Sequence, residues 1–163
     1  MKAILILGFA ALAAGCASFS GRGLEPGKAT LDEVEKLMGP NAEQRAGPGG
    51  ETVRYYSRLP NGRQTFAARF GADGRLIAIE PRLTEDNLKK LMPGSLAKEQ
   101  VRDLLGPPWE IHQMARQERE SWTYPMEGLT FPKHLYVIFS RDGVLRDVMF
   151  MDDPTVIQQE DNR

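Results

Sequence analysis

Few residues in this chain have the types and spacing for covalent chemistry. Ser95-Leu96-Ala97-Lys98 fits S-x-x-K, the signature of a serine acyl-enzyme whose lysine assists the nucleophile. That chemistry also needs S-D-N and K-T-G elements, and neither occurs. His112 and His134 are the only histidines, and no H-E-x-x-H or other zinc-ligand spacing surrounds them. Gly47-Pro48-Gly49-Gly50 is glycine-rich but lacks the G-x-x-x-x-G-K-[ST] spacing that cradles phosphate. No nucleophile, base and orienting group can be assembled, so no enzyme, cofactor or metal is expected. The formal net charge is −1. Such a chain carries no electrostatic footprint for nucleic acid.

Cys16 is the one cysteine, which excludes an intramolecular disulfide. It closes a segment with Lys2 at its start and an apolar run from Ala3 to Ala14, too short to span a bilayer and suited to a signal peptide over 1–15. Leu12-Ala13-Ala14-Gly15-Cys16 resembles a bacterial lipobox, with Ala13 where leucine is usual. The resemblance implies lipidation at Cys16. Ala17 stands where aspartate would retain the protein at the inner membrane, so the implied location is the outer membrane, periplasmic face. Two or more acyl chains anchor stably without a basic patch. Residues 16–23 then read as a tether.

The remaining chain is organised by a repeat. Pro26–Pro40 returns at Pro93–Pro107 with an offset of 67 residues, no gap and six identities in fifteen. Each copy reads as a Pro-Gly turn, a short amphipathic helix and a Gly-Pro stop. Val34, Leu37 and Met38 share one helix face, as do Val101, Leu104 and Leu105. Thr30 and Glu33 form a capping box, whereas the equivalent cap position, Ala97, is poor. Behind each helix come an aromatic strand and an Asp-Gly hairpin. Tyr55, Tyr56, Phe70 and Asp73-Gly74 answer Trp122, Tyr124, Phe139 and Asp142-Gly143. The offset reaches 69 at the hairpin, so the second copy is two residues longer there.

These features predict an α+β fold of two tandem modules, 24–80 and 84–151, each with short helices packed on a three-stranded antiparallel sheet. Residues 41–51 read as a loop, Thr84–Met92 as a short helix, and residues 152–163 as a flexible tail.

The pattern P-G-x₆-V-x₂-L-L-G-P-P, then W-x-Y, then F-x-x-D-G-V resembles the SmpA/OmlA family of small outer-membrane lipoproteins, which includes BamE. The carrying residues are Pro93, Gly94, Val101, Leu104, Leu105, Gly106, Pro108, Trp122, Tyr124, Phe139, Asp142 and Gly143. The resemblance is closer over 84–151 than over 24–80. It implies a non-enzymatic, lipid-anchored protein-binding module serving outer-membrane or β-barrel protein assembly, or envelope integrity. Its partners would be envelope or outer-membrane proteins. Tandem modules of this kind also occur in β-lactamase inhibitory proteins, so the alternative is a membrane-tethered inhibitor or ligand-binding module.

Two stretches are expected to bind. Met126, Leu129 and Phe131 are apolar side chains in the proline-bounded loop Pro125–Pro132, and such residues favour interfaces. Arg54 and Arg58 alternate onto one strand face and could form a basic stripe.

Overall fold

The computed structural model describes residues 19–128 and 132–154. The chain runs α1 (Leu31–Met38), β1 (Glu43–Ala46), β2 (Thr52–Ser57), β3 (Thr65–Phe70) and β4 (Leu76–Pro81). It continues through α2 (Glu85–Leu88), α3 (Lys98–Leu105), β5 (Glu110–Met114), β6 (Arg119–Met126), β7 (Lys133–Ser140) and β8 (Leu145–Asp152). The strands form two antiparallel meanders, β1-β2-β3-β4 and β5-β6-β7-β8.

This overturns the expected α+β fold with three-stranded sheets. The protein is mostly β, with two four-stranded sheets and only short helices. The strands missed are β1 and β5, one at the edge of each sheet. Glu43–Ala46 reads E-Q-R-A, with no β-branched or aromatic residue, so strand propensity gives no signal. Its pairing with β2 supplies the missing cause, and Glu43 and Arg45 alternate onto one face. The Pro48–Gly50 turn that joins β1 to β2 takes Gly49 and Gly50 to positive φ. The supposed glycine loop is therefore a hairpin connection.

Helix ends follow local chemistry. The Thr30 hydroxyl accepts from the Glu33 amide at 3.4 Å, and the Glu33 carboxylate accepts from the Thr30 amide at 2.8 Å. Ala97 offers no such oxygen, and α3 keeps only the reverse half, the Ala97 amide donating to Gln100 Oε1 at 2.9 Å. Thr84 caps α2, which spans four residues rather than the expected nine. Gly39 and Gly106 end α1 and α3 at φ of 84° and 79° with extended ψ, a region essentially closed to other residues.

The two units match in register. Phe70 pairs with Leu76 beside a bulge at Arg69/Phe70, and Phe139 pairs with Leu145 beside a bulge at Ile138/Phe139. Val34 and Met38 pack with Tyr56, Ala68, Phe70 and Leu76. Val101 and Leu105 pack with Trp122, Tyr124, Leu135, Val137, Phe139 and Leu145. Burial of each valine, leucine, methionine or phenylalanine among them contributes about 1.5–3 kcal/mol. Leu37 and Leu104 lie on the flanks and are only half-buried.

The layers stack in the order α1, first sheet, α3, second sheet. Tyr56 faces α1, so by alternation Tyr55 faces the other way, where α3 lies. Arg102 of α3 makes a forked pair with Glu43, its Nε and Nη2 each 2.8 Å from Oε2. Arg45 bonds Glu99 and, at 2.9 Å, Asp103. The α3 helix thus gives its apolar face to the second sheet and its charged face to the first. At the far end Arg63 of the β2–β3 connection meets the buried Asp153 carboxylate at 2.6 Å. Asp153 was expected in a loose tail; the register of β7 with β8 and this ion pair hold it in place instead.

Candidate interaction surface

The residues proposed from sequence divide sharply. Cys16 and the tether residues up to 18 lie outside the described residues, as do Leu129, Phe131 and the chain from 155. Met126 is the last residue of β6 rather than part of a loop, and packs half-buried against the second core. Arg54 and Arg58 do share a side, but both are engaged by their own chain. Arg54 donates to Glu35 at 3.0 Å and Gln44 at 2.9 Å, and Arg58 lies 4.2 Å over the Phe19 ring.

The S-x-x-K residues are not brought together as a catalytic pair. The Ser95 hydroxyl donates to the Met92 carbonyl at 2.9 Å, while the Lys98 ammonium sits 2.8 Å from Glu120. Burial pushes the Glu120 carboxyl up, but bonds from Lys98, Gln113 and Trp122 outweigh it and hold the group below the usual glutamate range. Burial drives the Tyr124 phenol well above its ordinary value, and its hydroxyl donates to the Gly106 carbonyl at 3.1 Å, closing the end of α3. His134 lies 3.6 Å from Asp153 and between the rings of Trp109 and Tyr136, whereas His112 is exposed on β5. Among the described residues no three His, Cys, Asp or Glu are grouped to hold a metal ion.

Exposed apolar side chains concentrate on the second sheet. Trp109 is 44% exposed and Ile111 46% exposed, at the β5 edge. Met149, Phe150 and Met151 are 40%, 52% and 56% exposed, on β8 at the opposite edge. The first sheet exposes only Ile77 among its large apolar residues. The Asp-Gly hairpin at Asp142-Gly143 implies a strand after it, but which neighbour that strand lacks is set by sheet order. The signal was present: Met149-Phe150-Met151 is apolar at consecutive positions, so no face of the strand is polar there.

No family model matches the chain, and no curated protein matches it. Solved structures similar to it include the DUF4309 family protein YjgB from Bacillus subtilis, at 15% identity over 81% of this chain and 84% of that one, with a TM-score of 0.33. Another is a candidate beta-lactamase inhibitor protein from Streptococcus mutans, at 14% identity over 76% and 83%, with a TM-score of 0.35. Similarity at this level carries no conclusion about function.

Proposed function

We propose that this protein is a non-enzymatic binding module, held by lipid on Cys16 at the periplasmic face of the outer membrane, that captures another envelope protein through its second sheet. The observation that carries the reading is the pair of exposed apolar side chains at the β5 edge, Trp109 and Ile111. Tryptophan in a half-exposed position with a hydrophobic neighbour, Ile111, is the residue type that most often anchors a protein interface. The ion pairs between α3 and the first sheet brace the unit that presents it, which lowers the ordering cost of binding.

Two partner classes fit. The doubled unit favours a tethered inhibitor or ligand-binding module, because the sequence resemblance associates tandem units with secreted inhibitors. The SmpA/OmlA resemblance favours a role in outer-membrane protein assembly, although a fourth strand in each sheet departs from that family's module. Purification of the full, anchored chain in mild detergent separates them. A single periplasmic enzyme co-eluting supports the first reading, and several outer-membrane assembly subunits support the second. In either case Trp109→Ala should weaken binding of that partner by about thirtyfold, as an anchor worth about 2 kcal/mol requires. Undiminished recovery removes the β5 edge as the site.

A further inference from the structure

The two edge strands β4 and β8 are equivalent, and their ends differ in kind. With Phe70–Leu76 matching Phe139–Leu145, and Phe66–Pro81 matching Leu135–Phe150, the positions Glu80, Pro81 and Arg82 correspond to Met149, Phe150 and Met151. The first unit therefore carries Glu-Pro-Arg where the second carries Met-Phe-Met. Proline and charge are the usual means of blunting a sheet edge, since proline offers no amide hydrogen and charges resist burial. Glu80 and Arg82 are also paired with each other at 2.9 Å. The second unit carries none of these devices at Met149, Phe150 or Met151; its charge and proline come one to three residues later, at Asp152, Asp153 and Pro154.

The backbone of β8 is open at the same place. Its start is occupied, because Leu145 bonds the Leu96 carbonyl and the Gly94 amide. The Val148 amide donates to the Asp147 side chain at 2.8 Å, so it points away from β7. Alternation then directs the amides of Phe150 and Asp152 outward as well. Among the described residues β8 is paired only with β7.

We infer that β8 pairs in antiparallel fashion with β8 of a second copy of this chain, about a two-fold axis at Met149. This goes beyond the partner proposed above, which sits at the opposite edge of the sheet. A two-fold interface needs a self-complementary strand. With the axis at Met149, Val148 and Phe150 of one copy are opposite Phe150 and Val148 of the other, and their outward amides and carbonyls face one another. Met149 meets Met149, and Arg146 stands opposite Asp152. Shifting the axis to Phe150 sets Asp147 against Asp153 of the other copy, two carboxylates, and like charges directly opposite disfavour a pair. The two sheets join into one of eight strands, and each copy covers Met149, Phe150 and Met151 of the other.

The register makes the test specific. Residues opposite each other in a pair without hydrogen bonds have Cβ atoms about 4.5–5.5 Å apart, near disulfide range. In the purified full chain under mild oxidation, Met149→Cys should be trapped as a covalent dimer. Wild type, which retains Cys16, and Phe150→Cys should not. Adding Phe150→Pro and Met151→Arg to the Met149→Cys chain, which copies the first unit, should abolish the dimer with the melting temperature retained. Absence of a dimer from Met149→Cys overturns the proposal, as does equal trapping at 149 and 150. So does a dimer that survives the Pro-Arg graft. Light scattering of the cysteine-free Cys16→Ser chain gives a separate reading: a monomer at all concentrations up to about 100 μM also overturns it, that being about a hundredfold above a micromolar dissociation constant. Partner recovery through Trp109 is scored independently, so failure of one does not imply failure of the other.

Discussion

Gly39 and Gly106 end equivalent helices with nearly the same backbone, φ 84° and ψ −172° against φ 79° and ψ −171°. Substituting alanine at either forces a side chain into a glycine-only region at a cost of about 1–3 kcal/mol. The surroundings then separate the two. A Cβ at Gly39 meets nothing within 4 Å. A Cβ at Gly106 would lie 2.6 Å from Thr65 Cγ2 and 3.1 Å from Tyr55 Cδ1. Both neighbours belong to the first sheet and are buried, so neither can swing into solvent. Overpacking of this kind costs about 1–3 kcal/mol more. At about 2–4 °C per kcal/mol for a chain of this size, Gly106→Ala should melt roughly 2–12 °C below Gly39→Ala. Circular dichroism of the purified Cys16→Ser chain measures both. Thr65→Ser removes the clashing methyl and should restore part of the loss only in the Gly106→Ala background, a coupling read by a double-mutant cycle. Equal melting of the two alanine variants, or no rescue by Thr65→Ser, would refute the packing of α3 against the first sheet.

Two further outcomes follow from the anchor and from titration. On the proposed lipid anchor, Cys16→Ser should leave the chain outside the membrane fraction; persistence in the membrane through a salt wash would count against lipid anchoring at Cys16. The Glu120 carboxyl is held below its ordinary range in the folded chain, so its contribution to stability is full above the usual glutamate pKa. That contribution is lost as pH falls from there through the depressed folded value. Glu120→Gln should flatten the decline in melting temperature across that acidic interval, and an unchanged profile would show that the Lys98, Gln113 and Trp122 contacts do not operate in solution.

Local chemistry alone specified the two main helices and their ends. The Thr30 capping box, the weaker Ala97 start, the glycine stops at Gly39 and Gly106, and the shared apolar faces at Val34 and Val101 all depend on residues within a few positions of one another. The Asp-Gly hairpins at Gly74 and Gly143 belong to the same class. The strands β1 and β5 do not, because β1 (E-Q-R-A) has no β-branched or aromatic residue and β5 (E-I-H-Q-M) has only Ile111, so each is fixed as an edge strand by the neighbour it bonds to. Arg54 and Arg58 illustrate the same boundary from the other side. Alternation put them on one face, but only the packing of α1 and Phe19 decided that both would be engaged internally. Met149, Phe150 and Met151 were visible as apolar residues. Their exposure was settled by strand order, which left β8 at an edge with β7 as its one neighbour in the sheet. Sequence determined what each short segment could become; long-range pairing determined which backbone edges stayed open, because hydrogen bonds between strands join residues whose proximity no local pattern encodes.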